Sequence, residues 1–249
     1  QALAAGIETV GADRHVHSLH AYFLRPGDIA VPIVYDVENT RDGSSFSSRR
    51  VVARQHGRPI FYLSASFQIP EPGLEHQDAM PDAVPPEEAP LLEEVLARVT
   101  GRPADEWHHE WAALDVRYAG DSRPGGNLHD PEHPALARVW FKAASPLPDH
   151  PRLHACVLAY ASDLTLLGAS LVPHGEVLGS PSIQSASLDH AMWFHRPCRM
   201  DEWLLYDQVS PSASGARGLV MGRLFTREGE LVATVMQEGL IRPRGERSA

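Results

Sequence analysis

The chain carries 22 lysine and arginine residues, of which only Lys142 is a lysine, and two cysteines, Cys156 and Cys198. Two cysteines exclude a disulfide framework; set among apolar residues, they read as buried free thiols in a reducing cytoplasm. The scarcity of lysine reads mainly as the codon bias of a GC-rich bacterial genome. Excess positive charge is missing too: the net charge is -10, which disfavours a nucleic-acid binder held by phosphate neutralisation. A local arginine patch could still serve one phosphorylated ligand. No stretch approaches about 18 uninterrupted apolar residues, so no membrane span is expected. The opening Gln1-Ala2-Leu3-Ala4-Ala5 shows no signal-peptide pattern and no initiator methionine. No G-x-S-x-G elbow occurs, which argues against a serine nucleophile on an α/β-hydrolase turn. Neither Trp107-His-His-Glu-Trp111 nor His129-Asp-Pro-Glu-His133 has metal-ligand spacing, so no metal is expected.

At 249 residues there is room for two domains with a core each, and two stretches about 171 residues apart repeat one pattern. The first is Phe23-Leu-Arg-Pro26, then Tyr35-Asp36, then the apolar Phe61–Ser66. The second is Phe194-His-Arg-Pro197, then Tyr206-Asp207, then Leu231–Met236. Gln1–Val10 reads as the last turns of a helix, followed by strands at 15–24, 33–39, 46–55 and 59–69. His56-Gly-Arg-Pro59 is a hairpin connection between the last two. Prolines punctuate 70–134, which reads as a connector holding one short helix at 91–99. A strand at 137–144 follows, then a nearly all-round apolar helix at 151–167 with proline in its first turn. Strands close the chain at 183–194, 202–209, 217–226 and 231–241. This is an α+β pattern in which an antiparallel sheet wraps an apolar helix, twice.

Five motifs stand out: Val16-His-Ser-Leu-His-Ala-Tyr-Phe-Leu-Arg-Pro-Gly-Asp28, Arg41–Arg50, Tyr160-Ala-Ser-Asp-Leu164, Leu188-Asp-His-Ala-Met-Trp-Phe-His-Arg-Pro197 and Val235-Met-Gln-Glu-Gly239. Together they resemble those of the acyl-CoA thioesterase II (TesB-like) family. The resemblance implies a double-hotdog fold, hydrolysis of acyl-CoA to a free acid and coenzyme A, and no cofactor. It implies an N-terminal hotdog module at 1–69, the connector at 70–134, and a C-terminal module at 135–249. It also implies a first strand and a Gly-Gly-Gln helix start ahead of Gln1, so the first module is expected to be incomplete here.

Carried over by motif, the family's catalytic Asp, Ser/Thr and Gln fall on Asp163, Ser187 and Gln237. Asp163 alone can accept a proton at neutral pH, and burial at a helix end should raise its basicity. Ser187 and Gln237 can hold a water without ionising. Shifting the trio back by about 171 residues reaches Val16 and Ser66 rather than a hydroxyl and an amide, so one site per chain follows. Asp189 is the reserve carboxylate, sharing a strand face with Ser187 at period two while His190 points away. His17, His20, His190 and His195 are expected at the seam, mainly as structural residues. Arg49, Arg50 and Arg217 are candidates for the phosphates of CoA. Two rivals remain: a hotdog hydratase or dehydratase, and a non-catalytic acyl-CoA binder. A homo-oligomer is expected, because hotdog sheets leave edges and faces open.

Overall fold

The computed structural model describes residues 1–244. A short helix α1 (Ala2–Ile7) precedes β1 (His15–Phe23), β2 (Val34–Asp42), β3 (Phe46–Gln55) and β4 (Arg58–Gln68). Two helices, α2 (Leu92–Thr100) and α3 (Ala104–Trp111), lead into β5 (Leu114–Asp121) and β6 (Leu136–Ala143). The apolar helix α4 (Pro151–Thr165) continues as a 3-10 stretch, Leu166–His174. The chain closes with β7 (Ile183–Ser187), β8 (Asp189–Phe194), β9 (Leu204–Ser214), β10 (Arg217–Thr226) and β11 (Leu231–Pro243).

The strands join one antiparallel sheet in the order β2-β3-β4-β1-β8-β11-β10-β9-β6-β5, with β7 paired to β11. The double-hotdog expectation holds. One half of the sheet curls around α1, the other around α4, and β1 and β8 fuse the halves. The repeat explains the seam. The β1–β8 ladder pairs His20 with Ala191, positions that correspond in the two copies of the repeat, and flanks them with Leu19–Met192 and Ala21–His190, which the repeat exchanges. A pseudo-twofold axis therefore passes through the seam. The duplicated tyrosine acts alike in both halves, Tyr35 donating to Gln1 Oε1 at 2.6 Å and Tyr206 to the Ser162 carbonyl at 2.9 Å. Each tethers its module's helix to the sheet. Gly222 makes room for the second, since a Cβ there would lie 2.3 Å from the Tyr206 ring.

The hairpin at 56–59 forms as expected, with His56 and Gly57 both at positive φ, 48° and 72°, the geometry of a tight two-residue turn. The connector differs from expectation. Residues 70–90 run without a ladder, but β5 lies inside 70–134 and pairs with β6 along its length. Leu114-Asp-Val-Arg-Tyr118 does alternate apolar and polar, but only for five residues before the register shift between Tyr118 and Gly120 ends the period. The α4 helix ends two residues early because the chain tightens into the 3-10 stretch, which lies against strand glycines. A Cβ at Gly239 would come within 2.5 Å of Leu167, and one at Gly218 within 2.5 Å of Ser170. By length and composition the segment 151–174 could cross a membrane, but here it is the core helix of the second module.

Candidate active site

The expected strand at 183–194 is broken at Leu188, and the break builds the site. β11 pairs Gly239 with Ser187 and, further along, Met236 with Ala191. The β7–β8 side therefore carries one residue more than β11 between these pairs, a β-bulge. Period-two alternation is reset there, so Ser187 and His190 reach the same face of the sheet. Gln237 of β11 lies on that face also, beneath the last turn of α4, where Asp163 descends to meet it.

The three predicted residues come together. The Gln237 amide Nε2 donates to Asp163 Oδ1, and Ser187 Oγ donates to the same oxygen from 3.4 Å. No hydrogen bond reaches Asp163 Oδ2 from the described residues. Gln237 is 1 % exposed, whereas the Asp163 side chain keeps 32 % of its surface open. The expectation that Asp163 is buried is thus not met: it lies at the rim of a cavity, with buried partners beneath it. Gln237 Oε1 is enclosed and has no hydrogen-bond partner among the described residues, an arrangement that costs about 1–3 kcal/mol for a buried acceptor.

His190 joins the trio, which period-two reasoning missed. It is 5 % exposed, with Nε2 3.0 Å from Ser162 Oγ, Nδ1 3.5 Å from Gln237 Nε2 and Nδ1 3.8 Å from Asp163 Oδ1. Burial pushes its pKa below 6.5, against the opposing pull of Asp163 and Asp189. The ring is therefore neutral at neutral pH. Tyr206, wholly buried under Ser162, has its phenol pushed well above 10.0, first by burial and then by Asp163. The Asp163-Leu-Thr165 run after Ser162 gave no hint of this network; the Asp189-His190 dipeptide was the available signal.

The other expectations fare differently. Asp189 is turned away by the same bulge, and its Oδ1 accepts the Glu238 amide at 2.6 Å. Arg49 is 2 % exposed and fully engaged, bonding Thr9 Oγ1 at 2.8 Å and Asp42 at 2.7 Å; it ties α1 to β3 and has no reach to a phosphate. Arg50 points to the opposite face and lies over Tyr62 at 5.9 Å. Arg217 pairs with Glu238 at 2.8 Å, on the face away from Gln237 because neighbours on a strand alternate. None of the three arginines meets Asp163. His17 bonds Ser66 at 2.8 Å and His195 bonds Thr234 at 2.8 Å, while His20 stands edge-on to Trp193 at 5.2 Å. Cys156 and Cys198 are free, and burial pushes the Cys198 thiol up to about 12.

A cavity of about 460 Å³ opens against Asp163 and His190. Its apolar wall comes largely from the first module, through Leu19, Ala21, Phe23, Ile33 and Tyr35, with Tyr160 and Leu164 of α4 opposite. The site thus takes its polar groups from one module and much of its apolar wall from the other. A second cavity of about 340 Å³ lies at the far end of the seam, beside His17, Arg152, His195 and Arg196.

Two helix-wrapping halves sharing one sheet, with an Asp-Ser-Gln cluster at the seam, define a double-hotdog protein. The comparisons carry this to a family: the chain belongs to the acyl-CoA thioesterases. Residues 115–240 match the acyl-CoA thioesterase family model, and residues 1–68 match the acyl-CoA thioesterase N-terminal domain. Acyl-CoA thioesterase 2 of Haemophilus influenzae is 38 % identical over 247 residues, covering 97 % of this chain and 85 % of that protein. Human acyl-coenzyme A thioesterase 8 is 41 % identical over 253 residues, covering 97 % of this chain and 78 % of its own. Among solved structures, acyl-CoA thioesterase II TesB2 from Mycobacterium marinum superposes with a TM-score of 0.85 at 48 % identity, covering 98 % of this chain and 87 % of that one.

Proposed function

We propose that this chain hydrolyses acyl-CoA thioesters to free acid and coenzyme A, with Asp163 as the general base for direct attack by water. The observation that carries the reading is the convergence of Gln237 and Ser187 on one oxygen, Asp163 Oδ1, at the mouth of an apolar cavity. Two donors fix the carboxylate, leaving Oδ2 to accept the proton of a water. Ser187 and Gln237 therefore act by holding the base, rather than by holding the water as the sequence suggests. The new C–O bond forms as that proton moves to Asp163. The tetrahedral intermediate then collapses, the C–S bond breaks, and the proton passes from Asp163 to the departing thiolate. A thiol with an ordinary pKa near about 8.5 leaves readily, so no strong acid is needed. The acyl chain lies along Leu19, Phe23 and Ile33.

The phosphates of CoA are left without a role for Arg49, Arg50 or Arg217. The chain is read as cytoplasmic, supported by its two unpaired thiols, and as a homo-oligomer. The latter is supported by the open apolar side chains of Tyr22, Phe23, Leu24, Ile33 and Val34 and by the sheet ends at β2 and β5. Sedimentation at micromolar concentration tests it, and a monomer throughout would refute it.

The test of function is release of thiol from saturated acyl-CoAs across a range of chain lengths. Catalytic thiol release is expected. A hydratase or dehydratase leaves a saturated thioester intact, and a simple binder takes up the ligand without releasing thiol; either result would overturn the reading.

A further inference from the structure

We infer that His190 is a positioning residue, whose ring accepts from the Gln237 amide and so fixes which end of that amide meets Asp163. The inference rests on the hydrolase reading above. It begins with Ser162, whose hydroxyl has the Ala159 carbonyl at 3.2 Å and His190 Nε2 at 3.0 Å. The serine hydroxyl has one hydrogen for the Ala159 carbonyl, the ring nitrogen and Met192 Sδ at 3.8 Å, and we assign it to the carbonyl, which can only accept. Its Oγ then takes the hydrogen of His190 Nε2, and Nδ1 is left as a bare lone pair. That lone pair faces Gln237 Nε2 at 3.5 Å. The amide nitrogen thus sits between two acceptors, the His190 ring and Asp163 Oδ1. A flipped amide would set Oε1 against a lone pair and a carboxylate together, which is repulsive at both contacts.

The enclosed, unpartnered Gln237 Oε1 is the counterpart of this arrangement. Oε1 forgoes a donor so that Nε2 can serve both acceptors. Asp163, which as a carboxylate only accepts, already asks for Nε2 on its side; the bare Nδ1 of the ring adds a second acceptor for the same nitrogen and so reinforces that orientation.

Protonation of His190 would undo it. An Nδ1–H confronts the amide hydrogens of Gln237 and lies 3.8 Å from Asp163 Oδ1. The carboxylate then pairs with the imidazolium, Gln237 loses its hold, and the base is quenched. The charged groups around the ring are Asp163 from α4 and Asp189 from its own strand. β11 and β1 bring Gln237 and Ala21, which do not titrate, and β9 brings Tyr206, which keeps its proton. Because burial holds the folded His190 below 6.5, activity is expected to fall on the acid side of that value.

Three measurements on the whole protein decide it. Nitrogen chemical shifts of ¹⁵N-labelled imidazole are expected to show the Nε2–H tautomer of His190 at neutral pH; the Nδ1–H tautomer would overturn the inference whether or not thiol is released. The acid limb of kcat/KM for wild type is expected to carry two protons, and His190→Gln to remove one. In that variant kcat is expected to fall by up to about a hundredfold, the cost of a misplaced catalytic group, with KM nearly unchanged. Should His190→Gln fail to fold, Ser162→Ala removes only the acceptor of Nε2 and is expected to shift the limb. Variants with wild-type kcat and a wild-type acid limb would overturn the role of His190. Failure of the wild type itself to release thiol would instead overturn the hydrolase reading.

Discussion

At the scale of single residues, the site is a carboxylate held on one side. Gln237 Nε2 and Ser187 Oγ both reach Asp163 Oδ1, but unequally, the serine from a long 3.4 Å. A well-formed hydrogen bond to a charged group is worth about 1.5–3 kcal/mol, and the long serine contact to the same carboxylate is placed at or below about 1.5 kcal/mol. Gln237→Ala should therefore lower kcat by roughly ten- to a hundredfold, and Ser187→Ala by about tenfold or less. Steady-state thiol release measures both; a larger loss in Ser187→Ala than in Gln237→Ala would contradict this ranking. The motifs make these three positions legible in the sequence. His190 is not legible, because alternation from Ser187 places it on the far face and one inserted residue at Leu188 reverses that. Arg49 misleads for the opposite reason: its type suits a phosphate, but Thr9 and Asp42 already hold it inside the first module.

At the scale of elements, the bulge between β7 and β8 and the glycines beneath the 3-10 stretch set the geometry. Gly239 stands opposite Ser187, and an added Cβ would meet Leu167 at 2.5 Å. Gly239→Ala should destabilise the fold by about 1–3 kcal/mol through overpacking, seen as a lower denaturant midpoint with an unchanged slope. An unshifted midpoint would mean that the 3-10 stretch yields freely. The β9–β10 hairpin offers the reverse change. Ala216 sits at φ 61°, where a Cβ costs about 1–2 kcal/mol. Ala216→Gly should raise the midpoint, by less than that amount because glycine also loosens the unfolded chain. Helices and hairpins are legible where periodicity and turn residues coincide, as at α4 and at 56–59. β5 is easily missed because its alternation, Leu114 to Tyr118, is short and stops at the register shift before Gly120.

At the scale of the whole molecule, duplication places one pseudo-twofold axis at the β1–β8 seam, and the two copies divide the work. The second brings Asp163, Ser187, Gln237 and His190; the first brings the wall of Leu19, Phe23 and Ile33. The seam also gathers histidines whose burial matters to stability. His17, His190 and His195 all have pKa values lowered below 6.5, in each case first by burial. Below 6.5 the unfolded chain binds protons that the folded chain refuses, so stability is expected to fall as pH drops below that value and to be flat above it. Carboxylates held low, such as Asp42 beside Ser47 and Arg49, act only in a lower window, below 3.8. Urea midpoints measured between about pH 7.5 and pH 5.5 test this; a midpoint constant over that range would show that the three rings titrate as they do in the unfolded chain.

The most direct test of the account is the turnover of Asp163→Asn, shown to be folded by its melting profile and assayed by thiol release from saturated acyl-CoA. The substitution keeps the shape and lets Ser187 still bond, but removes the one group able to take a proton from water. A general base contributes roughly 10²–10⁴ in rate, so kcat is predicted to drop at least about a hundredfold. Turnover equal to that of the wild type would contradict the assignment of Asp163 as the base.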